Sequence, residues 1–147
     1  MAGFFYVLDT DARILFVDDD PILREFAQVN LASPHAEIDV AADGLEALDR
    51  LAMTRYDLLL VDLEMPRLDG FGLLERLRAD PATAHLPMIV QTGREDVEAI
   101  DRAFHLGATS FVTKPLNWRL LTYQMRFVLR SSQAEHRVRL AAASEAA

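Results

Sequence analysis

Residues 13–21 read RILFVDDDP, in which a buried-strand pattern is followed at once by the start of a helix. Residues 14–17 form a short continuous apolar run, which is typical of a strand that is covered on both faces. Asp20 followed by Pro21 is the pattern of a helix N-cap with proline in the first helical turn. The stretch therefore predicts a strand, a short acidic loop and a helix in immediate succession.

Similar apolar runs recur along the chain, and each is followed by a segment with helical spacing of its apolar residues. The predicted strands are residues 14–17, 38–41, 56–61, 87–92 and 109–113. Five strands that alternate with five helices predict a doubly wound α/β fold, with a parallel sheet and helices on both faces. In such sheets ligands bind beyond the carboxyl ends of the strands.

The first four predicted helices carry apolar residues at helical spacing. These are Ile22, Phe26 and Val29 in the first helix, Leu45, Leu48 and Leu51 in the second, Phe71, Leu74 and Leu77 in the third, and Val97, Ile100 and Phe104 in the fourth. The last helix is predicted to start near Asn117.

The composition narrows the class of protein. The chain has 147 residues, enough for one compact domain, and it has no cysteine, which excludes a disulfide scaffold and a thiolate metal site. Its net charge of −8 argues against direct binding to nucleic acid or to an anionic membrane. Because no apolar run is long enough for a signal peptide or a membrane span, we expect a cytoplasmic protein.

Polar side chains follow the predicted strands at their carboxyl ends. They are Asp18, Asp19 and Asp20 after the first strand, Asp62 after the third, Thr92 after the fourth and Lys114 after the fifth. Clustered carboxylates repel one another, and a hard divalent cation such as Mg²⁺ is the natural compensation. A carboxylate can also attack phosphorus, and the lysine and the threonine hydroxyl would then stabilise the phosphoryl oxygens.

Four motifs in order carry a resemblance to a known family. They are VDDDP at 17–21, VDLEMPRLDG at 61–70, IVQT at 89–92 and FVTKP at 111–115. Over about residues 13–130 the chain resembles the receiver domain of two-component response regulators. No single motif is decisive, but four motifs at the expected strand ends are highly specific.

The resemblance implies a flavodoxin-like fold with strand order 2-1-3-4-5 and a set of site residues. Asp62 matches the phosphorylated aspartate, and Lys114 matches the lysine that pairs with the phosphate. Asp18 and Asp19 match the acidic pair that organises Mg²⁺, with Asp19 the direct ligand. Asp62 and the backbone carbonyl of Glu64 would complete the protein ligands of the metal.

The resemblance also implies a switch. Thr92 matches the switch hydroxyl, and Phe111 matches the aromatic residue that rotates when the threonine moves. The Lys114–Pro115 peptide bond is cis in this family, which a bond before proline can adopt at small cost.

Glu64 and Arg94 are the variable residues that flank the predicted phosphorylation site. We hypothesise that they form a pair across its mouth, limit the access of water and so set the lifetime of the phosphoryl group.

The function implied is a phosphorylation-controlled signalling module. A sensor histidine kinase or a histidine phosphotransfer protein would supply the phosphoryl group, and small donors would supply part of it. The surface of the fourth helix, fifth strand and fifth helix would then change for a downstream effector protein or domain. The chain would assist only its own phosphorylation and dephosphorylation, and would not be an enzyme with an external substrate.

Two other functions are compatible with parts of the pattern. A Mg²⁺-dependent phosphohydrolase would use Asp18 and Asp20 as a DxD pair, although Pro21 and Leu23 lack the hydroxyl that follows in such enzymes. A receiver-like interaction module without phosphorylation is the other alternative, and the complete acidic and lysine set argues against it. Taken singly, Asp20 is best explained as a helix cap.

The ends of the chain lie outside the resemblance. We expect an N-terminal extension at 1–12, with an apolar run at 4–8, a receiver domain at 13–130, and a helical or disordered tail at 131–147. The chain is either a stand-alone receiver or the receiver of a larger protein. Both extensions are candidates for contacts in a homodimer.

Overall fold

The computed structural model describes residue 8, residues 10–93 and residues 96–146. Strands and helices alternate throughout the described residues. Their bounds are β1 (Ala12–Val17), α1 (Pro21–Leu31), β2 (Ala36–Ala41), α2 (Gly44–Met53), β3 (Leu58–Asp62), α3 (Gly70–Ala79), β4 (Met88–Thr92), α4 (Val97–His105), β5 (Ser110–Thr113) and α5 (Trp118–Ala146).

The strands form one parallel sheet in the order β2-β1-β3-β4-β5, which confirms the predicted fold. The winding reverses beside β1, so that α1 and α5 cover one face of the sheet, and α2, α3 and α4 cover the other. The carboxyl ends of β1, β3, β4 and β5 therefore meet at one edge, where such folds bind their ligands.

The continuous apolar run in β1 is explained by burial on both faces. Ile14 and Phe16 face the cluster under α1 and α5, whereas Leu15 and Val17 face the cluster under α2, α3 and α4. All four are fully buried. β1, which is buried on both faces, thus anchors the edge of the sheet at which Asp18 and Asp19 follow it.

Aspartate residues form the N-caps of four of the helices. Asp20 caps α1 by accepting a hydrogen bond from the backbone N–H of Ile22 at 2.9 Å, which confirms its predicted role. Asp43, Asp69 and Asp96 cap α2, α3 and α4 in the same way. Each helix therefore begins close to the edge at which the preceding strand ends.

The apolar stripe of α1 does not face the core. Ile22, Phe26 and Val29 are 59%, 49% and 74% exposed, while Ala27 and Leu31 are the buried residues of this helix. The small side chain of Ala27 lets the helix backbone approach the sheet closely. Helical spacing identified a stripe correctly, but it did not reveal which stripe packs inward.

In α4, too, the larger apolar residues lie outside and a small residue lies inside. Val97 and Phe104 are exposed, and Ala103 is the buried residue. An apolar surface consequently remains open on both α1 and α4.

The last helix continues without a break past residue 130, so residues 131–146 belong to α5. At the other end, Leu8 is buried in the cluster under α1 and α5. The rest of the apolar run predicted at 4–8 lies outside the described residues. The domain boundaries at 12 and 130 stay a prediction.

Candidate functional site

Lys114 joins two strand ends that lie far apart in sequence. Its ammonium donates hydrogen bonds to Oδ2 of Asp18 at 2.8 Å and to Oδ2 of Asp62 at 3.1 Å. The side chains of Asp18 and Asp62 are 0% and 8% exposed, so both carboxylates are held away from bulk water. Since β4 lies between β3 and β5, the lysine crosses the end of β4 to reach them.

Asp18 is satisfied on each of its oxygens. Its Oδ1 accepts the backbone N–H of Asp20 at 2.9 Å, and its Oδ2 accepts Lys114. Its backbone carbonyl accepts a hydrogen bond from the guanidinium of Arg24 at 2.8 Å. The sequence reasoning missed Arg24; its only signal was a position in α1, six residues after Asp18.

Three carboxylates converge tightly enough to hold a cation. Asp18, Asp19 and Asp62 each offer one oxygen, and these oxygens lie within 4.8 Å of one another. Asp19 is exposed, whereas Asp18 and Asp62 are buried. A donor set made only of carboxylate oxygens suits a hard ion such as Mg²⁺.

Burial and neighbouring charges shift the pKa values of Asp62 and Lys114. Burial raises the pKa of Asp62, and the nearby charge of Asp18 adds to this, while the N–H of Glu64 and Lys114 act in the opposite direction. Burial alone would lower the pKa of Lys114, but its hydrogen bonds to Asp18 and Asp62 outweigh it, so the pKa is raised. The ammonium is therefore charged at neutral pH.

The loop after Asp62 is closed by a glycine. A Cβ on Gly70 would lie 2.5 Å from the carbonyl oxygen of Asp62, which is closer than real Cβ contacts allow. The N–H of Gly70 donates to the carbonyl of Leu63 at 3.2 Å. Glu64 donates its backbone N–H to Oδ1 of Asp62 at 3.1 Å. These contacts fix the orientation of the Asp62 carboxylate.

The two predicted switch residues lie on the sheet face that α4 covers. Thr92 ends β4 and is buried, and its carbonyl accepts the backbone N–H of Lys114 at 2.8 Å. Phe111 on β5 is exposed and meets the ring of Phe104 edge-on at a centroid distance of 6.1 Å. The Lys114–Pro115 bond is cis, which confirms that expectation.

Comparison with known families decides the classification. The model of the response regulator receiver domain matches residues 14–126. The chain belongs to this family. Asp18, Asp62 and Lys114 all lie within the matched segment.

Known relatives agree with this classification. The receiver domain is 37% identical over 123 residues to the response regulator MprA of Mycobacterium avium, covering 84% of this chain and 53% of that protein. It is 31% identical over 118 residues to the DNA-binding dual master transcriptional regulator RpaA of Synechocystis sp., covering 80% and 49%. The chain spans about half the length of these relatives.

A solved structure shares the whole fold. The chemotaxis response regulator CheY4 of Vibrio cholerae superposes with a TM-score of 0.76 at 29% identity, over 81% of this receiver domain and 99% of that chain. Within the described part of the chain, no helix has the length and hydropathy needed to cross a membrane.

Four of the predicted site residues lie together. The carboxylates of Asp18, Asp19 and Asp62 converge, and Lys114 forms ion pairs with Asp18 and Asp62. Asp20 is separate, because it caps α1. Arg94 lies outside the described residues, so the predicted Glu64–Arg94 pair stays a hypothesis.

Proposed function

We propose that this receiver domain accepts a phosphoryl group on Asp62 in a Mg²⁺-dependent reaction. The donor would be a sensor histidine kinase or a histidine phosphotransfer protein in the cytoplasm. The observation that carries the proposal is the ammonium of Lys114, which bonds the buried carboxylates of both Asp18 and Asp62. This arrangement keeps an anionic nucleophile and a cation together at the edge where the fold binds ligands.

Asp62 is the nucleophile in this proposal. One of its oxygens forms a bond to phosphorus while the bond from phosphorus to the donor's nitrogen or oxygen breaks, and the leaving group departs with that electron pair. The N–H of Glu64 on Oδ1 holds the carboxylate in a fixed orientation for the attack. Lys114 then neutralises part of the charge on the transferred group.

The proposed metal ligands are Asp18, Asp19, Asp62 and the backbone carbonyl of Glu64. When bound there, Mg²⁺ would screen the charges of the carboxylates and of the phosphate from one another. Because Lys114 bonds Oδ2 of Asp18, direct ligation by that oxygen requires the ammonium to move. Asp19 is exposed, and it would bind the ion without displacing a partner seen in this structure.

An exposed apolar surface beside the site supports docking of the phosphodonor. Ile22 and Phe26 are exposed on α1, whose N-cap directly follows the acidic pair. Phe26 also lines a cavity of about 550 Å³ together with Lys114 and Trp118. In this proposal, a donor that brings its phosphohistidine to Asp62 docks on this surface.

The output surface would be formed by α4, β5 and α5. Phosphorylation would draw Thr92 towards the phosphoryl group and let Phe111 rotate into the space released, which changes its contact with Phe104. Leu120 and Phe127 on α5 are exposed on the described surface and extend the apolar area. The partner would be a downstream effector protein or domain, or a second copy in a homodimer. With a net charge of −8 on this chain, direct contact with nucleic acid is disfavoured.

Labelling with acetyl phosphate tests the proposal. We expect a Mg²⁺-dependent mass increase of one phosphoryl group that maps to Asp62 and is absent from Asp62→Asn. Asp20→Asn is the matched control, because asparagine also caps a helix and Asp20 lies outside the carboxylate cluster. Labelling that persists in Asp62→Asn would refute the proposal. A covalent phosphate on Asp18 would instead support the phosphohydrolase, which the capping role of Asp20 already disfavours.

A further inference from the structure

Gln91 is a polar side chain inside the apolar core of the sheet. It is 0% exposed, and neither its amide oxygen nor its amide nitrogen has a hydrogen-bond partner in the described residues. A buried amide without partners destabilises a folded protein, and native structures contain few of them. Its position relative to the phosphorylation site suggests what this amide does.

The register of the sheet sets Gln91 directly beside the site. Gln91 on β4 is opposite Asp62 on β3 and Val112 on β5. Side chains at paired positions share a face of the sheet. The carbonyl of Gln91 also accepts the N–H of Leu63 at 3.0 Å, which ties it to the residue after the phosphoacceptor.

Lys114 passes over the same place. It lies two residues beyond Val112, so alternation along the chain gives it the face that carries Gln91. Its ammonium crosses the end of β4 to reach Asp62 on β3. An ammonium has three N–H donors, and two of them bond Asp18 and Asp62.

We propose that Gln91 is a positioning residue for Lys114 in the phosphorylated domain. When the ammonium turns towards a phosphoryl oxygen on Asp62, the amide oxygen of Gln91 accepts one of its N–H groups and holds it there. The inference rests on the proposed function of Asp62. Because the amide is unpaired before phosphorylation and paired afterwards, it favours the phosphorylated state.

Gln91→Met tests this role, since methionine has a similar length and shape without the amide. Removing an unpaired group should raise the melting temperature of the unmodified protein by about 3 °C or more. The affinity for beryllofluoride with Mg²⁺, a mimic of the phosphoryl group, should fall about tenfold, measured by calorimetry. The two changes should cancel, so both proteins should melt at nearly the same temperature in saturating beryllofluoride.

Ile89→Leu is the matched control. Ile89 is fully buried on the same strand and the same face, but it has no polar atom to lose. We expect this variant to bind beryllofluoride with the wild-type affinity. Trp118 is the single tryptophan of the chain and lines the cavity beside Lys114, so its fluorescence gives a second signal for binding.

Two results would overturn the inference. The first is that Gln91→Met binds beryllofluoride as tightly as the wild type does. The second is that, in the absence of ligand, Gln91→Met melts at a lower temperature than the wild type. The proposed function fails in a different way, namely if the wild type does not bind beryllofluoride or if Asp62→Asn binds it equally well.

Discussion

Replacing Lys114 by methionine should leave two buried carboxylates without their cation. The side chains of Asp18 and Asp62 are 0% and 8% exposed, and the ammonium donates to both of them. Removing one partner of a buried ion pair typically costs about 3–5 kcal/mol, because the remaining charge is not solvated. For a domain of this size, that loss corresponds to a melting temperature lower by about 10–20 °C.

The loss in Lys114→Met should depend on pH and on Mg²⁺. An unpaired buried carboxylate has a raised pKa in the folded state. The variant therefore gains stability as the pH falls through that pKa, and the difference in the free energy of unfolding between the variant and the wild type becomes smaller. Mg²⁺ at 100 times its dissociation constant should restore about 2.7 kcal/mol. It should bind the variant more tightly than the wild type, because the ammonium no longer competes for the same oxygens.

Urea unfolding with and without Mg²⁺ measures both effects, and Arg13→Met is the control. Arg13 pairs with Glu37 through side chains that are 43% and 70% exposed, so its loss should cost less than about 1 kcal/mol and should not respond to Mg²⁺. If Lys114→Met is as stable as the wild type without Mg²⁺, then Lys114 does not stabilise the buried carboxylates of Asp18 and Asp62 as the geometry indicates.

Three further predictions concern single residues in and near the sheet. Gly70→Ala should destabilise the domain by about 1–3 kcal/mol in urea unfolding, because its Cβ would meet the carbonyl oxygen of Asp62; an unchanged midpoint would contradict this. Burial raises the pKa of Asp62 above 3.8, so the folded state binds that proton more strongly, and the wild type should gain stability relative to Asp62→Asn as the pH falls through the folded pKa. An identical pH dependence of both proteins would contradict this. Tyr56→Phe should cost about 1–3 kcal/mol, since the buried hydroxyl donates to Asp39 and its pKa is raised to about 12 by burial and by that carboxylate. Spectroscopic titration should find no tyrosinate at this position at pH 10, and early ionisation would argue against the hydrogen bond.

The strands and the main site residues were predictable because their signals are local. A continuous apolar run such as residues 58–61 fits a strand buried on both faces, and parallel topology brings all the strand ends to one edge. Those two rules were enough to predict that Asp18, Asp62 and Lys114 lie close together. They did not require knowledge of any side-chain conformation.

Spacing predicted the inward face of α3, where Leu74 and Leu77 are buried, but not the inward faces of α1 and α4. In α1 the larger apolar residues lie outside and Ala27 lies inside, because close packing on the sheet favours a small side chain. Arg24 and Gln91 were missed for a related reason. Their positions depend on where the backbone turns and which sheet face a side chain takes, and no local pattern marks either one.

The length of α5 has a mechanical consequence. Its 29 residues form a rod of about 43 Å, and the part beyond residue 130 accounts for about 25 Å of it. Tilting that part by about 5° at the domain would displace its far end by about 2 Å. The helix begins at Trp118, directly after the loop that contains Lys114 and Pro115. A small rotation beside the proposed phosphorylation site would thereby be converted into a larger movement at the distant end of the same helix.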